Sequence, residues 1–190
     1  MKLTSKQQRL LDSLAKEASP LSSMFFRSVE FRWMHPDDVI GGAGALKLGG
    51  RFAPIGAKAV YASDSEETLL REVSGRKGRL GGNALIDVDR YPRVTFRIDV
   101  KVDRHVSFAG SFRQSELERI RRRCLSPASL AFSQNVGRHL EAPGVQAILY
   151  SSVTGAGANV VVFVRNTKAD QVVIFNRARV IAQIARLKNS

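Results

Sequence analysis

Three residues within a short span carry side chains that can act together on a phosphorylated ligand. Arg51 follows Gly49 and Gly50, Tyr61 comes ten positions later, and Glu72 lies eleven positions beyond the tyrosine. A guanidinium can bind phosphate oxygens in a bidentate manner, an aromatic ring can stack on another ring, and a carboxylate can stabilise a developing cation. We therefore expect a binding or catalytic site here, with Gly50 letting the backbone approach the ligand closely.

The elements that would position these side chains follow from the local pattern. The sequence predicts a turn over 54–56, a short strand over 59–62 and a helix after that strand. Asp64 with Glu67 would cap the helix. Glu72 would lie at the edge of the apolar face of this helix, where a carboxylate can point into a cleft.

Upstream of this stretch, a strand over 25–31 carries Arg27 among aromatic residues. An unpaired charge in such a strand would be costly, so Arg27 should meet a ligand phosphate or an acid such as Glu72. The segment that starts at Pro36 and includes 41–44 has no regular period and is rich in glycine, which predicts a loop.

The rest of the chain predicts a strand-rich domain with helices around it. Thr4 and Gln7 form a capping box that opens a helix, which ends at Ser19-Pro20. The other expected elements are strands over 84–88, 94–102, 145–150, 160–164 and 172–175, a basic glycine-bearing loop over 75–82, a helical stretch over 114–140 broken at Ser126-Pro127, and a basic helix over 177–187. No linker or repeat divides the chain. We expect a single α+β domain over 1–190 with a largely antiparallel β core.

Composition narrows the class of protein. The 190 residues are 44% hydrophobic, which argues against disorder, and no window approaches the ~18 uninterrupted apolar residues of a membrane span. The N-terminal residues lack the apolar stretch of a secretory signal. The single cysteine, Cys124, excludes an internal disulfide and suits a reducing compartment. These features predict a cytoplasmic protein without membrane association.

The net charge of +13, from 30 basic against 17 acidic residues, favours an anionic partner. Nucleic acid, an acidic protein and a phosphorylated small molecule all fit. The sharpest basic run is 119–123, which has no obvious balancing acids and supports a nucleic-acid-binding protein or ribonuclease as an alternative. His35, His105 and His139 are too dispersed to suggest an acid–base pair, and no metal-ligand spacing appears, so no metal is expected.

Several of these residues together resemble a known family. Arg27 in Phe26-Arg27-Ser28-Val29, Arg51 in Gly49-Gly50-Arg51-Phe52, Tyr61, Glu72 in Leu69-Leu70-Arg71-Glu72, and Ser151-Ser152 followed by 159–163 agree in order and spacing with the RES domain. This is a bacterial toxin domain usually paired with a helix-turn-helix antitoxin. The resemblance covers about 24–165, leaving an N-terminal helix within 1–20 and a C-terminal basic helix over 177–188 as additions.

The resemblance implies a fold akin to ADP-ribosyltransferases and a reaction that consumes NAD+ as substrate. Glu72, Arg27 and Ser152 would be the catalytic residues, with the Glu72 carboxylate against the ribose and Ser152 either hydrogen-bonded to the ribose or setting the orientation of Glu72. Arg51 would bind the pyrophosphate, Tyr61 would stack on the nicotinamide or ribose, and Gly50 would line the substrate site. Ser152 is favoured over Ser151 by alignment, and because neighbours on a strand face opposite sides, only one of the two can point into the site.

The implied function is a toxin that cleaves the nicotinamide–ribose bond of NAD+ by phosphorolysis or hydrolysis and so arrests growth. Relatives differ in the acceptor of the ADP-ribose, so ADP-ribosyl transfer to a protein target is the alternative. The partner would be a cognate antitoxin that binds DNA and covers the active site. Direct contact of this chain with nucleic acid is not favoured.

Overall fold

The computed structural model describes residues 2–78, 93–154 and 157–188. The helices in these ranges are α1 (Ser5–Lys16), α2 (Pro36–Ile40), α3 (Ala43–Leu48), α4 (Glu66–Gly78), α5 (Ser115–Leu125), α6 (Leu130–Glu141) and α7 (Arg177–Lys188). The strands are β1 (Ser19–Glu30), β2 (Ala59–Ser63), β3 (Arg93–Phe108), β4 (Ala147–Ser151), β5 (Ala158–Phe163) and β6 (Val172–Ile174). Short 3-10 turns span Phe31–Trp33, Pro127–Ser129 and Val164–Asn166.

The six strands form one sheet in the order β1-β2-β5-β4-β3-β6, and β1 also pairs with β3. All of these pairings are antiparallel except the one between β3 and β4. The strand β3 is long enough to pair with two strands in opposite senses: it is antiparallel to β1, and its last four residues are parallel to β4. The predicted α+β class with a largely antiparallel core is confirmed.

Both faces of the sheet are covered, which explains the apolar runs in the sequence. Along β5, Val161 and Phe163 pack into a cluster with α1, α5 and α6, whereas Val160 and Val162 pack into a second cluster that includes Phe25 and Ile98. A strand that is buried on both faces has no polar alternation. The strand predicted over 160–164 therefore corresponds to β5, which lies in the core.

The glycine-rich segment after Pro36 is helical, which corrects the predicted loop. The segment forms α2 and α3, separated by Gly42 at φ +72°. Val39 and Ala45 are buried, so the two helices are stabilised by packing on the domain rather than by intrinsic propensity. A side chain at Gly42 would also meet the backbone of Ala59, so this position needs glycine for both reasons.

The first strand is longer than predicted. It begins at Ser19 rather than at residue 25 and ends at Glu30, before the Phe31–Trp33 turn. The predicted break at Ser19-Pro20 instead marks the entry into β1, where the pairing with β3 shifts register between Ser19 and Leu21. Proline has no N–H for the ladder, so a bulge is where a strand tolerates it.

The start of α4 also differs from expectation. The hydroxyl of Ser65, not the carboxylate of Asp64, accepts the N–H of Thr68 at 3.1 Å, while Oδ2 of Asp64 accepts the N–H of Ala158 at 2.7 Å. Asp64 thus connects the β2–α4 corner to β5. The predicted loop over 75–82 overlaps the end of α4, which continues to Gly78, and the predicted strand over 84–88 lies outside the described residues.

The remaining predicted elements agree with the structure, except that the strand predicted over 94–102 continues to Phe108 in β3. The helical stretch over 114–140 is α5 and α6, interrupted at Ser126-Pro127 as predicted, and the last basic helix is α7. Within the described ranges, none of the helices has the length and apolar character needed to cross a bilayer.

Candidate active site

A cleft of about 410 Å³ opens beside β1 and β2, with α3 and α4 on its walls. Its volume is in the range of small-molecule sites. Arg27, Tyr61 and Glu72, which the sequence placed in one site, all line this cleft. Gly50, Arg51 and Ser152 do not line it, although Ser152 contacts Glu72 directly.

The carboxylate of Glu72 is fixed by two donors from distant parts of the chain. Its Oε1 accepts the hydroxyl of Ser152 at 2.6 Å and the side-chain amide of Asn159 at 2.8 Å. Asn159 is 4% exposed, and its Oδ1 accepts the hydroxyl of Ser63 at 2.7 Å. Hydrogen bonds from two donors hold the orientation of a carboxylate. The arrangement presents a positioned anion at the cleft.

The two adjacent serines have different environments. Ser152 donates to Glu72, and its oxygen accepts the N–H of Thr154 at 3.2 Å, with the Thr154 hydroxyl 2.7 Å away. Ser151 donates to the carbonyl of Ala109 at 2.7 Å. The hydroxyl of Ser151 is therefore bound just after the end of β3, and Ser152, rather than Ser151, contacts the glutamate.

Arg27 is a buried cation on β1. It is 8% exposed, lines the cleft, and donates from Nη1 to the main-chain carbonyl of Tyr61 at 2.7 Å. Phe26, its neighbour, is the residue through which β1 pairs with Ser63 of β2. The guanidinium therefore lies at the β1–β2 junction, in the same cleft as Glu72.

The side chain of Tyr61 supports the turn that contains Gly50 and Arg51. Its hydroxyl accepts the N–H groups of Phe52 and Ala53 at 3.1 and 3.0 Å. The ring lies so close to Gly50 that a Cβ there would overlap it. Tyr61 thus lines the cleft and shapes the turn, and the absence of a side chain at Gly50 is what allows this contact.

Arg51 points away from the cleft lining. Its Nη1 donates to the carbonyl of Cys124 at 2.7 Å and to that of Ser126 at 3.4 Å, at the C-terminal end of α5. A cation is favoured there because the helix dipole places negative charge at that end. Gln134 of α6 donates to the carbonyl of Gly50 at 3.1 Å, so the turn is bound to both helices. The predicted pyrophosphate contact of Arg51 stays a prediction.

The comparisons with known proteins decide the family. The family model of the RES domain matches residues 24–183. The chain belongs to the RES domain family. The match reaches beyond the 24–165 over which the sequence resemblance was traced, and includes part of α7.

The fold of this RES domain is similar to that of a solved protein. A chain in the crystal structure of the MbcT–MbcA toxin–antitoxin complex of M. tuberculosis superposes with a TM-score of 0.72 at 19% sequence identity. The alignment covers 96% of the present chain and 98% of that one. A comparison with curated proteins gave no match.

Sequence reasoning did not assign a role to several residues of the RES domain cleft. Asn159 is one, although a polar residue at the start of an apolar strand was a usable signal. Arg93 is another: it lines the cleft and donates from Nε and Nη2 to the hydroxyl and carbonyl of Ser28, at 2.8 and 2.9 Å. Trp33 and Lys47 also line the cleft, and no motif pointed to them.

The basic run over 119–123 has acidic partners, contrary to expectation. Arg119 pairs with Glu116, while Arg121 and Arg122 pair with Glu118. Arg121 and Arg122, together with the N–H of Phe112, hold the pKa of the Glu118 carboxyl well below its usual range. The two glutamates offset part of the charge of the four arginines, which weakens the attraction of this helix for nucleic acid.

The other nucleophile and acid–base candidates lie apart from the cleft lining. Burial raises the pKa of the Cys124 thiol to about 12, so the thiol stays protonated at neutral pH. The three histidines have separate partners, which are the N–H of Asp37 for His35, the carbonyl of Ser19 for His105 and Asp12 for His139. Over 2–78, 93–154 and 157–188, no group of three metal-binding side chains comes together.

Proposed function

We propose that this RES domain protein is a toxin that cleaves the nicotinamide–ribose bond of NAD+, in the cytoplasm of a cell that it arrests by depleting NAD+. The observation that carries the proposal is the Glu72 carboxylate, held in the cleft by Ser152 and Asn159 at 2.6 and 2.8 Å. Membership of the RES family supplies the expectation that the substrate is NAD+.

The chemistry requires a fixed anion more than an acid or a base. The bond between C1′ of the ribose and the nicotinamide nitrogen breaks, its electron pair leaves with neutral nicotinamide, and positive charge develops on the ribose. A preorganised carboxylate stabilises that charge where water is excluded. An anionic phosphate oxygen then bonds to C1′, which gives phosphorolysis, or the oxygen of a water bonds to C1′ and loses a proton to solvent, which gives hydrolysis.

The remaining residues would hold the substrate. In this proposal Arg27, buried on β1, faces the phosphate or ribose side of the ligand, and Tyr61 offers its ring to the nicotinamide or ribose. Gly50 and Arg51 act through the shape of the turn, with Arg51 reaching the pyrophosphate by exchanging the carbonyls of Cys124 and Ser126 for phosphate oxygens. A guanidinium makes both kinds of contact well.

A cognate antitoxin would cover this cleft. The solved relative is part of a toxin–antitoxin complex, and a chain with a net charge of +13 attracts an acidic segment from such a partner. We expect the antitoxin to carry the helix-turn-helix and to contact the DNA, while this chain contacts the antitoxin.

The decisive experiment measures NAD+ loss by the purified chain with and without phosphate. Glu72→Gln should lower the rate at least ~100-fold, the scale set by removing one charge-stabilising group. Glu67→Gln is the matched control, because Glu67 is on the same helix but is exposed and pairs with Arg71. Acceleration by phosphate identifies phosphorolysis.

Two results would contradict the proposal. The first is intact NAD+ after incubation with a folded chain, with no label transferred from NAD+ to lysate proteins. The second is equal rates for Glu72→Gln and Glu67→Gln. Transfer of label to a protein, with little free ADP-ribose product, would instead assign the acceptor to a protein target.

A further inference from the structure

The cleft is lined by a second set of side chains besides the Glu72 group, by which we mean Glu72 with its donors Ser152 and Asn159. This second set consists of Trp33, from the Phe31–Trp33 turn, and Lys47 of α3, with Arg32 beside them. The Lys47 ammonium lies 4.4 Å from the centroid of the Trp33 ring, and the Arg32 guanidinium lies 5.6 Å from it. We call Trp33 and Lys47 the Trp33–Lys47 arm.

The arm has few interactions that would explain it as a structural element. Trp33 is 39% exposed although tryptophan is normally well buried, and Leu48 next to Lys47 is 83% exposed. Arg32 is held by Glu30 at 2.8 Å, whereas no ion pair of Lys47 occurs in the part of the chain that the structure describes. An exposed ring with a cation beside it in a concave site suits a flat ligand that carries a negative charge.

We propose that the Trp33–Lys47 arm binds the adenine nucleotide half of the substrate, with the base on the Trp33 ring and the phosphate at the Lys47 ammonium. The assignment rests on the proposed function, because it takes a dinucleotide as the ligand of this cleft. It adds a binding site that neither the motif residues nor the family match assigns.

The chemistry of the two groups is complementary. The Glu72 group offers a carboxylate, which suits ribose hydroxyls and a developing cation but repels phosphate. The Trp33–Lys47 arm offers a π face and a cation, which suit a base and a phosphate. Lys47 lines the cleft and makes no ion pair within the described residues, so its ammonium can meet the phosphate of the adenine nucleotide alongside the contact proposed for Arg51.

Binding of the nucleotide would replace the contact between Lys47 and the Trp33 ring with a stronger stacking contact between the base and that ring. A cation over an exposed ring contributes less than a stacked base does, so the base can displace Lys47 from the Trp33 face. The released ammonium then lies within reach of the phosphate attached to the same nucleotide. The two gains are coupled, which predicts tighter binding of AMP than of adenosine.

The tryptophan itself reports this binding. Trp33 is the single tryptophan of the chain, so quenching of its fluorescence by AMP measures stacking directly and without any turnover. We expect saturable quenching by AMP. Lys47→Gln should weaken AMP binding about tenfold and change adenosine binding little, and Lys101→Gln is the control, since Lys101 is exposed on β3 outside the cleft lining.

Kinetics give a second, independent measurement. Trp33→Ala should reduce the preference for NAD+ over nicotinamide mononucleotide, measured as a ratio of kcat/KM values, about tenfold. Trp33→Phe keeps a stacking face and should restore most of that preference. If Trp33→Ala does not fold, the Lys47→Gln and Trp33→Phe variants still decide the question.

The outcomes separate this inference from the proposed function. Quenching by AMP in a chain that leaves NAD+ intact would support the arm and contradict the NAD+-cleaving activity. Cleavage of NAD+ without quenching by AMP would overturn the arm and leave the activity in place. Equal AMP affinities for Lys47→Gln and Lys101→Gln would overturn the assignment of the phosphate to Lys47.

Discussion

The hydroxyl of Ser152 donates a 2.6 Å hydrogen bond to Glu72, a residue 80 positions earlier in the chain. This hydrogen bond fixes one oxygen of the carboxylate at the cleft. Removing it should misplace the anion without removing its charge. We therefore expect Ser152→Ala to lower kcat for NAD+ cleavage about tenfold to a hundredfold, with a smaller change in KM.

Ser151→Ala is the matched control for this prediction. Ser151 donates to the carbonyl of Ala109 and does not touch Glu72, so the rate of this variant should stay within about threefold of that of the parent. Equal losses in the two variants, measured by steady-state NAD+ consumption, would show that the serine segment acts only through stability.

Asn159 offers a test of the electrostatics at the same carboxylate. Asn159→Asp would place a second carboxylate at the position from which the amide donates over 2.8 Å. Two carboxylates at that separation share a proton, and the pKa of one of them rises. We expect the ascending limb of the pH–rate profile to move to higher pH, with reduced activity at neutral pH.

The neutral variant Asn159→Ala separates the charge effect from loss of the hydrogen bond. It should lower the rate with a much smaller displacement of the pH profile. A pH profile that is the same for Asn159→Asp and Asn159→Ala would contradict the expected coupling between the two carboxylates. Thermal melts of both variants check that changing Asn159, which also accepts the hydroxyl of Ser63, has not unfolded the site.

Gly50 is expected to be intolerant of any side chain. A Cβ at this position would overlap the ring of Tyr61, whose hydroxyl also holds the Phe52 and Ala53 amides. Gly50→Ala should therefore cost about 1–3 kcal/mol in the free energy of unfolding, the usual cost of overpacking, and should reduce NAD+ cleavage.

Gly110→Ala is the control for that substitution, because nothing lies within 4 Å of a Cβ at Gly110. Chemical denaturation of the two variants measures the difference. A Gly50→Ala variant as stable and active as Gly110→Ala would show that the Tyr61 ring is free to move aside.

We expect Glu118 to make a pH-dependent contribution to the free energy of unfolding. Its pKa is lowered in the folded protein by Arg121, Arg122 and the N–H of Phe112, so it binds fewer protons folded than unfolded. Its contribution is present above the pKa of the unfolded state and is lost as pH falls toward the lower pKa of the folded state. Glu118→Gln should lower Tm at pH 7, and the difference should shrink below about pH 4.

Glu17→Gln provides the reference, since Glu17 is exposed at the end of α1. Its Tm difference from the parent at pH 7 should be small. A Tm difference for Glu118→Gln that is constant between pH 7 and pH 3 would mean that the hydrogen bonds, and not the charge, stabilise this region.

The strands were predictable because burial leaves a strong pattern in the sequence. The runs over 145–150 and 160–164 lie between two packed layers and so contain almost no polar residues. The helices α2 and α3 were not predictable, because Gly41, Gly42 and Gly44 lower the helical propensity. Their stability comes from burying Val39 and Ala45 against the sheet, which only the tertiary structure shows.

The site was predictable only in part, for a similar reason. The residues of the resemblance include Arg27, Tyr61 and Glu72, and the fold does bring these three to one cleft. The resemblance suggested that Ser152 could orient Glu72, as it does, but the second donor, Asn159, lies 87 positions from Glu72, and local pattern carries no information on such a contact. The contact between Arg51 and the carbonyl of Cys124 was not predictable either, because it depends on where α5 ends in the fold.

The long separation between Glu72 and its donors has a consequence for biosynthesis. A ribosome that has translated the chain as far as β4 has already made Glu72, Arg27 and Tyr61, but not Asn159. Until β5 is added, the carboxylate lacks its amide donor and β2 lacks its partner strand. If the protein acts as proposed, we expect a chain that terminates before residue 159 to be inactive, because it lacks both β5 and the amide donor to Glu72.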